Sequence, residues 1–216
     1  MTTSVICPIS LQSDKEELFN VQTHFFGLLF SLIGFIYLMH LAALSEDLWK
    51  VASSLLYGTT LILLYTASTY YHSSQTIEKK KRLKIADHAC IYLLIAGSYT
   101  PFTLGPLREF NGWNLMGIEW SIALIGIIFK VFFIDKFQIV SLFAYLIMGW
   151  LVVFSFETLT NEISVKALYW LVAGGISYTA GTVFYVWNSL PFNHGIWHLF
   201  VLAGSICHYF CILQLI

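Results

Sequence analysis

The chain has 216 residues, of which 58% are hydrophobic and only 11% are charged, and its formal net charge is −1. Soluble globular domains carry about 25% charged residues, so this composition excludes an ordinary soluble domain and predicts a polytopic membrane protein. The near-neutral net charge says little by itself, and we expect no nucleic-acid partner.

Seven segments of the chain are long and apolar enough to cross a membrane, which takes about 20 residues in a helix. Backbone polar groups in lipid must be hydrogen-bonded within the chain, and these runs are too long for barrel strands, so we expect helices. The predicted fold class is therefore all-α: a bundle of seven transmembrane helices formed by residues 21–216, after a short cytoplasmic segment, residues 1–20. The seven segments are approximately 25–44, 51–71, 89–107, 115–134, 137–156, 167–187 and 195–216.

The fourth segment is the least regular of the seven. Glu119 and Lys130 lie near its two ends. Long charged side chains near a helix end can extend toward the membrane surface, so we expect the charged groups of both residues to contact water there.

The basic residues predict the orientation of the bundle. The loop between the second and third segments holds Lys79, Lys80, Lys81, Arg82 and Lys84. If this loop is cytoplasmic, eight basic residues lie on that side and three on the other, which agrees with the positive-inside rule. We therefore expect a cytoplasmic N-terminus and a C-terminus on the outside.

This topology brings polar and ionisable residues from three distant segments to one level of the membrane, near the cytoplasmic side. Ser68 and His72 lie four apart at the inner end of the second segment, and Asp87 is at the entrance of the third. His194 and His198, in the stretch FNHGIWHLF, are at the entrance of the seventh. Ionisable residues within a membrane usually face the bundle interior and are functional candidates.

Three of these residues predict a metal site. Histidines at i and i+4 share a helix face about 6 Å apart in rise, and His72 can add a third nitrogen to His194 and His198. Three protein ligands with an open fourth position are typical of catalytic zinc, although copper and nickel also bind imidazole. Asp87 is then a candidate to hold or deprotonate the metal-bound water, and Ser68 to hydrogen-bond that water or a substrate carbonyl. The alternative is that each histidine is only an interhelical hydrogen-bond partner.

The remaining histidines fit this site less well. We expect His24 to make an interface or interhelical contact, and His40 to lie too far toward the outer side to reach the site. His88 lies about 100° around the helix from Asp87, so we expect only one of the two to point inward. His208 is about 15 Å beyond His198 along the helix and suits a buried hydrogen-bonding role.

Small residues have two further roles in this interpretation. Cys207 and Cys211 are one turn apart and form an alternative metal pair, although buried thiols are usually inert. Gly174, Gly175 and Gly181 are expected to let helices pack closely. No disulfide framework is expected from the four cysteines, Cys7, Cys90, Cys207 and Cys211.

Five motifs are distributed over nearly the whole chain, between residues 20 and 209: NVQTHFFGLLFSLIG, STYYH, DHACIYLLIAGSYTPF, GGISYTAGTVFY and HGIWHLFVLAGSICHY. They resemble, in order, the N-x-x-T-H opening, the Ser-x-x-x-His motif, and the third-, sixth- and seventh-helix signatures of one known family. As a set they resemble the hemolysin III family, bacterial members of the progestin and adipoQ receptor superfamily, which includes the adiponectin receptors.

The resemblance implies a site and an activity. It implies seven helices, a cytoplasmic N-terminus, and a Zn²⁺ ion near the cytoplasmic side held by His72, His194 and His198. Asp87 matches the aspartate that contacts the metal-bound water, and Ser68 matches the serine. Relatives have been linked to hydrolysis of ceramide-type amides, and bacterial members to membrane-lipid homeostasis. The implied location is the cell membrane, in a bacterium the inner membrane.

Three functions remain open from the sequence. The first is a zinc-dependent hydrolase of lipid amides or esters, with a membrane lipid or fatty acid as its partner. The second is a non-catalytic membrane sensor or regulator in which zinc joins the helices as a structural staple. The third is a pore-forming cytolysin, which the apolar composition and the lack of a polar stripe along the spans disfavour. The substrate and the oligomeric state are left undetermined.

Overall fold

A computed structural model describes residues 12–216, and within that range the chain is helical and contains no strand. Residues 1–11, with Cys7 and the first part of the predicted N-terminal segment, lie outside the described residues. In chain order the elements are α1 (Asp14–Leu44), α2 (Leu48–Ser73), α3 (Ile77–Thr103), α4 (Gly112–Phe133), α5 (Gln138–Trp150), a 3₁₀ helix (Leu151–Ser155), α6 (Phe156–Glu162), α7 (Val165–Val186) and α8 (Asn193–Ile212).

Six helical segments of the described chain are long and apolar enough to cross a membrane, which confirms a multi-pass membrane protein. They are α1, α2, α4, the unit Gln138–Glu162 that joins α5 to α6, α7 and α8. The predicted third segment is helical as α3, but it is not among these six. Thr100 and Thr103 in its last turns are fully buried, so their hydroxyls are covered by protein rather than by lipid. A helix whose polar groups are enclosed by its neighbours does not need a wholly apolar sequence.

Helices adjacent in sequence are also adjacent in space. α1 packs on α2, α2 on α3, α3 on α4, and α7 on α8, while α1 also packs on α8. α5 contacts α3, α4 and α7. Six helices, α1, α2, α3, α5, α7 and α8, thereby surround one interior cavity. The outer surface is apolar, as lipid requires; the most exposed large side chains include Ile33, Ile36, Phe132 and Phe154.

Two of the three glycines predicted to permit close packing do so. A side chain at Gly174 would overlap the His208 ring, and one at Gly181 would meet Trp197 and Phe200 at 2.7 Å. Both contacts hold α7 close to α8, as small residues do at membrane helix interfaces. At Gly175 the nearest group is the Trp150 ring, at an ordinary 3.8 Å.

The start of α8 is fixed by the first turn of α1. Phe192, the residue before α8, has φ of 57°, a left-handed conformation that is unusual for an aromatic residue. Its backbone N–H donates to Glu16 Oε1 at 2.9 Å, and its ring packs edge-on against Phe19. Glu16 also forms a capping box with Ser13 at the start of α1. These contacts set where α8 begins, and with it the positions of His194 and His198 in its first turns.

The prediction for the charged residues of α4 is wrong. Glu119 and Lys130 are both fully buried and do not extend to water. Lys130 Nζ instead donates to Gln138 Oε1 at 3.0 Å. The reason lies in the helix rotation: Glu119, Ala123, Gly126 and Lys130 share one face of α4, and packing against α3 turns that face inward.

Candidate metal centre

Three histidines converge at one end of the interior. His72, in the last turn of α2, meets His194 and His198, in the first turns of α8. One ring nitrogen from each lies within 4.8 Å of the others. The ring centroids are 5.0 Å apart between His72 and each α8 histidine, and 4.6 Å between His194 and His198. The convergence predicted from spacing and topology is therefore present in the structure.

Hydrogen bonds occupy one nitrogen on each of two of these rings. His72 Nδ1 is 2.7 Å from Glu17 Oε2, while His72 Nε2 is buried without a hydrogen-bond partner among the described residues. His198 Nδ1 is 3.2 Å from Thr23 Oγ1. The Thr23 hydroxyl proton is directed to the Phe19 and Asn20 carbonyls, so its oxygen accepts from the His198 Nδ1–H.

These residues fit a metal ion. In a neutral imidazole one nitrogen carries the proton and the other carries a lone pair, so the Nε2 atoms of His72 and His198 are left as acceptors. A buried acceptor without a donor costs free energy unless a ligand satisfies it. Neutral imidazole nitrogens suit zinc, copper and nickel. Cys207 and Cys211, the alternative pair, are not part of this cluster, and Cys211 is buried.

The histidines lie at one end of the interior cavity. Ser68 and Asp87 are buried and line it together with His194 and His198. Ser68 Oγ makes no close hydrogen bond within residues 12–216, and its neighbour at the cavity wall is the Asp87 carboxyl group. All five residues singled out from the sequence therefore lie together. Four of them line the cavity, and His72 lies beside it, with its ring against those of His194 and His198.

The cavity continues far from the histidines between mostly apolar walls. His208 also lines it, so along α8 it extends about 21 Å, about two-thirds of the hydrocarbon thickness of a bilayer. A second cavity shares Tyr99, Trp150 and His208 with the first and continues past Phe102 and Leu171.

The sequence analysis missed the contribution of α1. His24 stacks on His198 with a centroid distance of 3.5 Å and an interplanar angle of 16°, so the expected interhelical contact lies inside the site itself. Glu17 and Thr23 hold two of the three rings, and Asn20 Nδ2 lies 3.5 Å from His72 Nδ1. One signal was present: Glu17, Asn20 and His24 recur at i, i+3 and i+7, which places them on one helix face.

Two predictions for the outlying histidines meet different outcomes. His88 does line the cavity together with Asp87, so the expectation that only one of the two faces inward is wrong. The cavity is wide enough at this level to reach both sides of α3, from α2 to Tyr145 on α5. His208 lines the cavity and its ring meets the Leu171 backbone, while its Nε2 makes no hydrogen bond within the described chain, so its expected hydrogen-bonding role stays a prediction.

Comparison with known proteins agrees with the motifs. The family model described as Haemolysin-III related matches residues 12–209. The chain is 45% identical over 199 residues to the Hemolysin-3 homolog of Bacillus subtilis (strain 168), covering 92% of this chain and 93% of the relative. It is 44% identical to Hemolysin-3 of Bacillus cereus, covering 92% and 91%. It is 32% identical over 209 residues to the human Monocyte to macrophage differentiation factor, covering 91% and 83%. The chain therefore belongs to the haemolysin-III related family of membrane proteins.

Proposed function

We propose that the protein is a zinc-dependent hydrolase that cleaves amide or ester bonds of membrane lipids within the bilayer. One observation supports this above all: three imidazoles converge beside a mainly apolar cavity that also presents the Asp87 carboxyl group and the Ser68 hydroxyl. An apolar cavity with a few convergent polar groups is the usual form of a small-molecule site.

His72, His194 and His198 would hold the ion. Zinc bound by three protein ligands supplies Lewis acidity for a carbonyl oxygen and makes water a nucleophile near neutral pH. The donor set fits this metal because imidazole nitrogens suit zinc, and because the Nε2 atom of His72 is buried without a hydrogen-bond partner in the described chain. In this proposal Glu17 and Thr23 fix the orientation of the His72 and His198 rings by accepting hydrogen bonds from their Nδ1 atoms.

Asp87 and Ser68 would carry out the remaining chemistry. Hydrolysis adds hydroxyl to the acyl carbon and hydrogen to the departing nitrogen or oxygen. We assign proton transfer to the Asp87 carboxylate, which would accept a proton from the attacking water and return it to the leaving group. The Ser68 hydroxyl would donate a hydrogen bond to the carbonyl oxygen as negative charge develops there.

The long cavity would bind the acyl chain of the substrate. Its walls include Leu64, Ile91, Leu94, Leu146 and Val201, which provide apolar contact but no hydrogen bonds. A chain bound along α8 would place its carbonyl end at the histidines and exclude bulk water from them. The proposed partner is therefore a membrane lipid, or the fatty acid released from it.

The test is the metal content and lipid turnover of the purified full chain. The wild type should hold about one equivalent of zinc and release fatty acid from ceramide-type or ester lipids in mixed micelles, detected by mass spectrometry. His72→Ala and His198→Ala should lose both the metal and the product. His40→Ala is the matched control, because His40 is an exposed histidine on α1 away from the cluster, and it should behave as wild type.

The same experiment separates the alternatives. A wild type that holds zinc, loses stability in His72→Ala and never releases a product would support the non-catalytic staple instead. Absence of any bound transition metal would contradict both proposals. The Bacillus relatives carry the name hemolysin, which would suit a pore. The cavity here is mainly apolar, which disfavours a pore, and release of trapped dye from lipid vesicles would be needed to support one.

We also propose that α3 crosses the membrane, which gives seven spans with the N-terminus in the cytoplasm of a bacterial cell. Lys80 pairs with Glu17 at the start of α1, and Lys84 pairs with Asp135 after α4, so the basic segment and these connections share one end. At the other end Lys50 Nζ donates to the Ile216 carbonyl at 2.5 Å. The basic end is the end that the positive-inside rule assigns to the cytoplasm.

Fusions test this orientation. Alkaline phosphatase fused after residue 216 should be active in a bacterial host, because this enzyme matures outside the inner membrane. Green fluorescent protein at the same point should be dark, because it matures inside. A fusion after residue 76 should show the opposite pattern. Matching signals at the two points would contradict the proposed orientation.

A further inference from the structure

One carboxylate joins three helices behind the histidine cluster. Glu17 lies in the first turn of α1, and its side chain is 18% exposed. Its Oε2 contacts His72 Nδ1, in the last turn of α2, at 2.7 Å. Its Oε1 accepts a hydrogen bond from Lys80 Nζ, in the first turns of α3. Both carboxylate oxygens are thus engaged, each by a different helix.

We propose that Glu17 is a positioning residue that fixes the tautomer and orientation of the metal ligand His72. An ionised carboxylate only accepts hydrogen bonds, so the proton of a neutral His72 ring must be on Nδ1. The lone pair is then on Nε2, the atom that is buried without a partner in the described chain. This inference rests on the proposed metal site and adds to it the residue that prepares one ligand.

Lys80 completes the arrangement. The His72 and Lys80 side chains are 1% and 12% exposed, so the Glu17 carboxylate is held on both sides by largely buried groups. The Lys80 ammonium keeps the second oxygen occupied, which leaves Oε2 directed at His72. A carboxylate that orients a ligating histidine commonly contributes 10- to 100-fold to metal affinity.

The second ligand with a hydrogen-bond partner, His198 on α8, has a weaker one. Thr23 Oγ1 accepts from His198 Nδ1 at 3.2 Å, but a neutral hydroxyl is a poorer acceptor than a carboxylate. Thr23 and Glu17 are both on α1, so the first helix supports ligands from both α2 and α8. Of the two, Glu17 should have the larger effect on metal binding.

The test is a double-mutant cycle on zinc affinity, measured with a chromophoric chelator as competitor on the purified full chain in detergent. Glu17→Ala should weaken zinc binding about 10- to 100-fold in the wild-type background. The His72→Ala protein should purify without zinc but keep the other two imidazoles, so its weak residual affinity is measured at raised zinc concentration. In that background the same change should have less than about a 2-fold effect, because its action passes through His72. Glu17→Gln should retain much of the affinity, since its amide oxygen can still accept from Nδ1–H.

Two further measurements exclude a merely structural effect. Asp14→Asn removes an exposed acid from the same helical turn and should leave zinc affinity unchanged. In the cobalt-substituted protein, Glu17→Ala should alter the visible absorption bands, which report ligand geometry, while Asp14→Asn should not.

The outcomes separate this inference from the proposed activity. Wild-type affinity in Glu17→Ala, or an equal loss in both backgrounds, would overturn the role of Glu17 and leave the hydrolase intact. The predicted coupling in a protein that binds zinc but never hydrolyses a lipid would support Glu17 and overturn the hydrolase. A wild type that binds no zinc overturns both.

Discussion

Replacing Asp87 with asparagine should reduce lipid turnover by about 10²- to 10⁴-fold while the protein keeps its zinc. The amide has nearly the same size as the carboxylate but cannot accept and return a proton. Asp87 is buried at the wall of the cavity beside Ser68, and it is not one of the three clustered ring-nitrogen donors. Turnover is measured by mass spectrometry of released fatty acid, and zinc by elemental analysis of the same sample.

The matched control for this variant is Glu78→Gln. Glu78 is an exposed acid on the same helix, α3, so its replacement changes the net charge equally and should leave turnover unchanged. Ser68→Ala should retain zinc and lose turnover less severely, because it removes one hydrogen bond rather than the proton acceptor. Wild-type turnover in Asp87→Asn would remove the carboxylate from the mechanism.

Replacing Gly126 with leucine should destabilise the protein by about 1–3 kcal/mol, because it forces extra side-chain volume into a closely packed helix interface. A side chain at Gly126 would overlap the Tyr92 ring on α3. Tyr92 is 2% exposed and packs against the Tyr145 ring at a centroid distance of 4.4 Å, so it has no free space to move into. The measurement is the temperature at which the monodisperse peak disappears in size-exclusion chromatography after heating.

The control for this variant is on the same helix. Gly117 is exposed, and no atom lies within 4 Å of the position where its side chain would begin. Gly117→Leu should therefore tolerate the same heating as wild type, or somewhat more, since leucine favours the helix over glycine. Equal melting of the two variants would show that the α3–α4 contact is not as close as described.

The helical, membrane-spanning character of the chain could be predicted from the sequence because it depends on local properties. A run of about 20 apolar residues has few ways to satisfy its backbone in lipid other than a helix. α3 shows the limit of that argument. It forms a helix as expected, yet its polar residues, among them Asp87, His88 and Thr100, lower its apolar content, and it is not among the six clearly apolar spans.

The histidine cluster was also accessible from the sequence, for a different reason. The i, i+4 spacing of His194 and His198 places both on one face of α8, and alternating helix directions bring the end of α2 to the same level. Helix periodicity and topology together were sufficient, and no knowledge of side-chain packing was needed.

The first helix shows where such arguments fail. α1 buries Asn20, Thr23 and Ser31 while it exposes Ile33 and Ile36 to lipid. In a membrane the polar or small face is the one that packs, so an apolar stripe does not indicate the interior as it does in a soluble helix. The contact of Glu17 with His72 joins residues 55 positions apart. The shared polar face of α1 indicates that Glu17 faces other helices, but it does not indicate which residue Glu17 meets.

The amino-acid sequence by itself determined the helices, their apolar lengths and the residues able to ligate a metal, because these follow from composition and spacing along one chain. Only the tertiary structure decided which face of each helix points inward. That rotation depends on how neighbouring helices fit together. It placed Glu17 and His24 in the site and turned Glu119 and Lys130 away from water. It also brought His88 to the same cavity as Asp87.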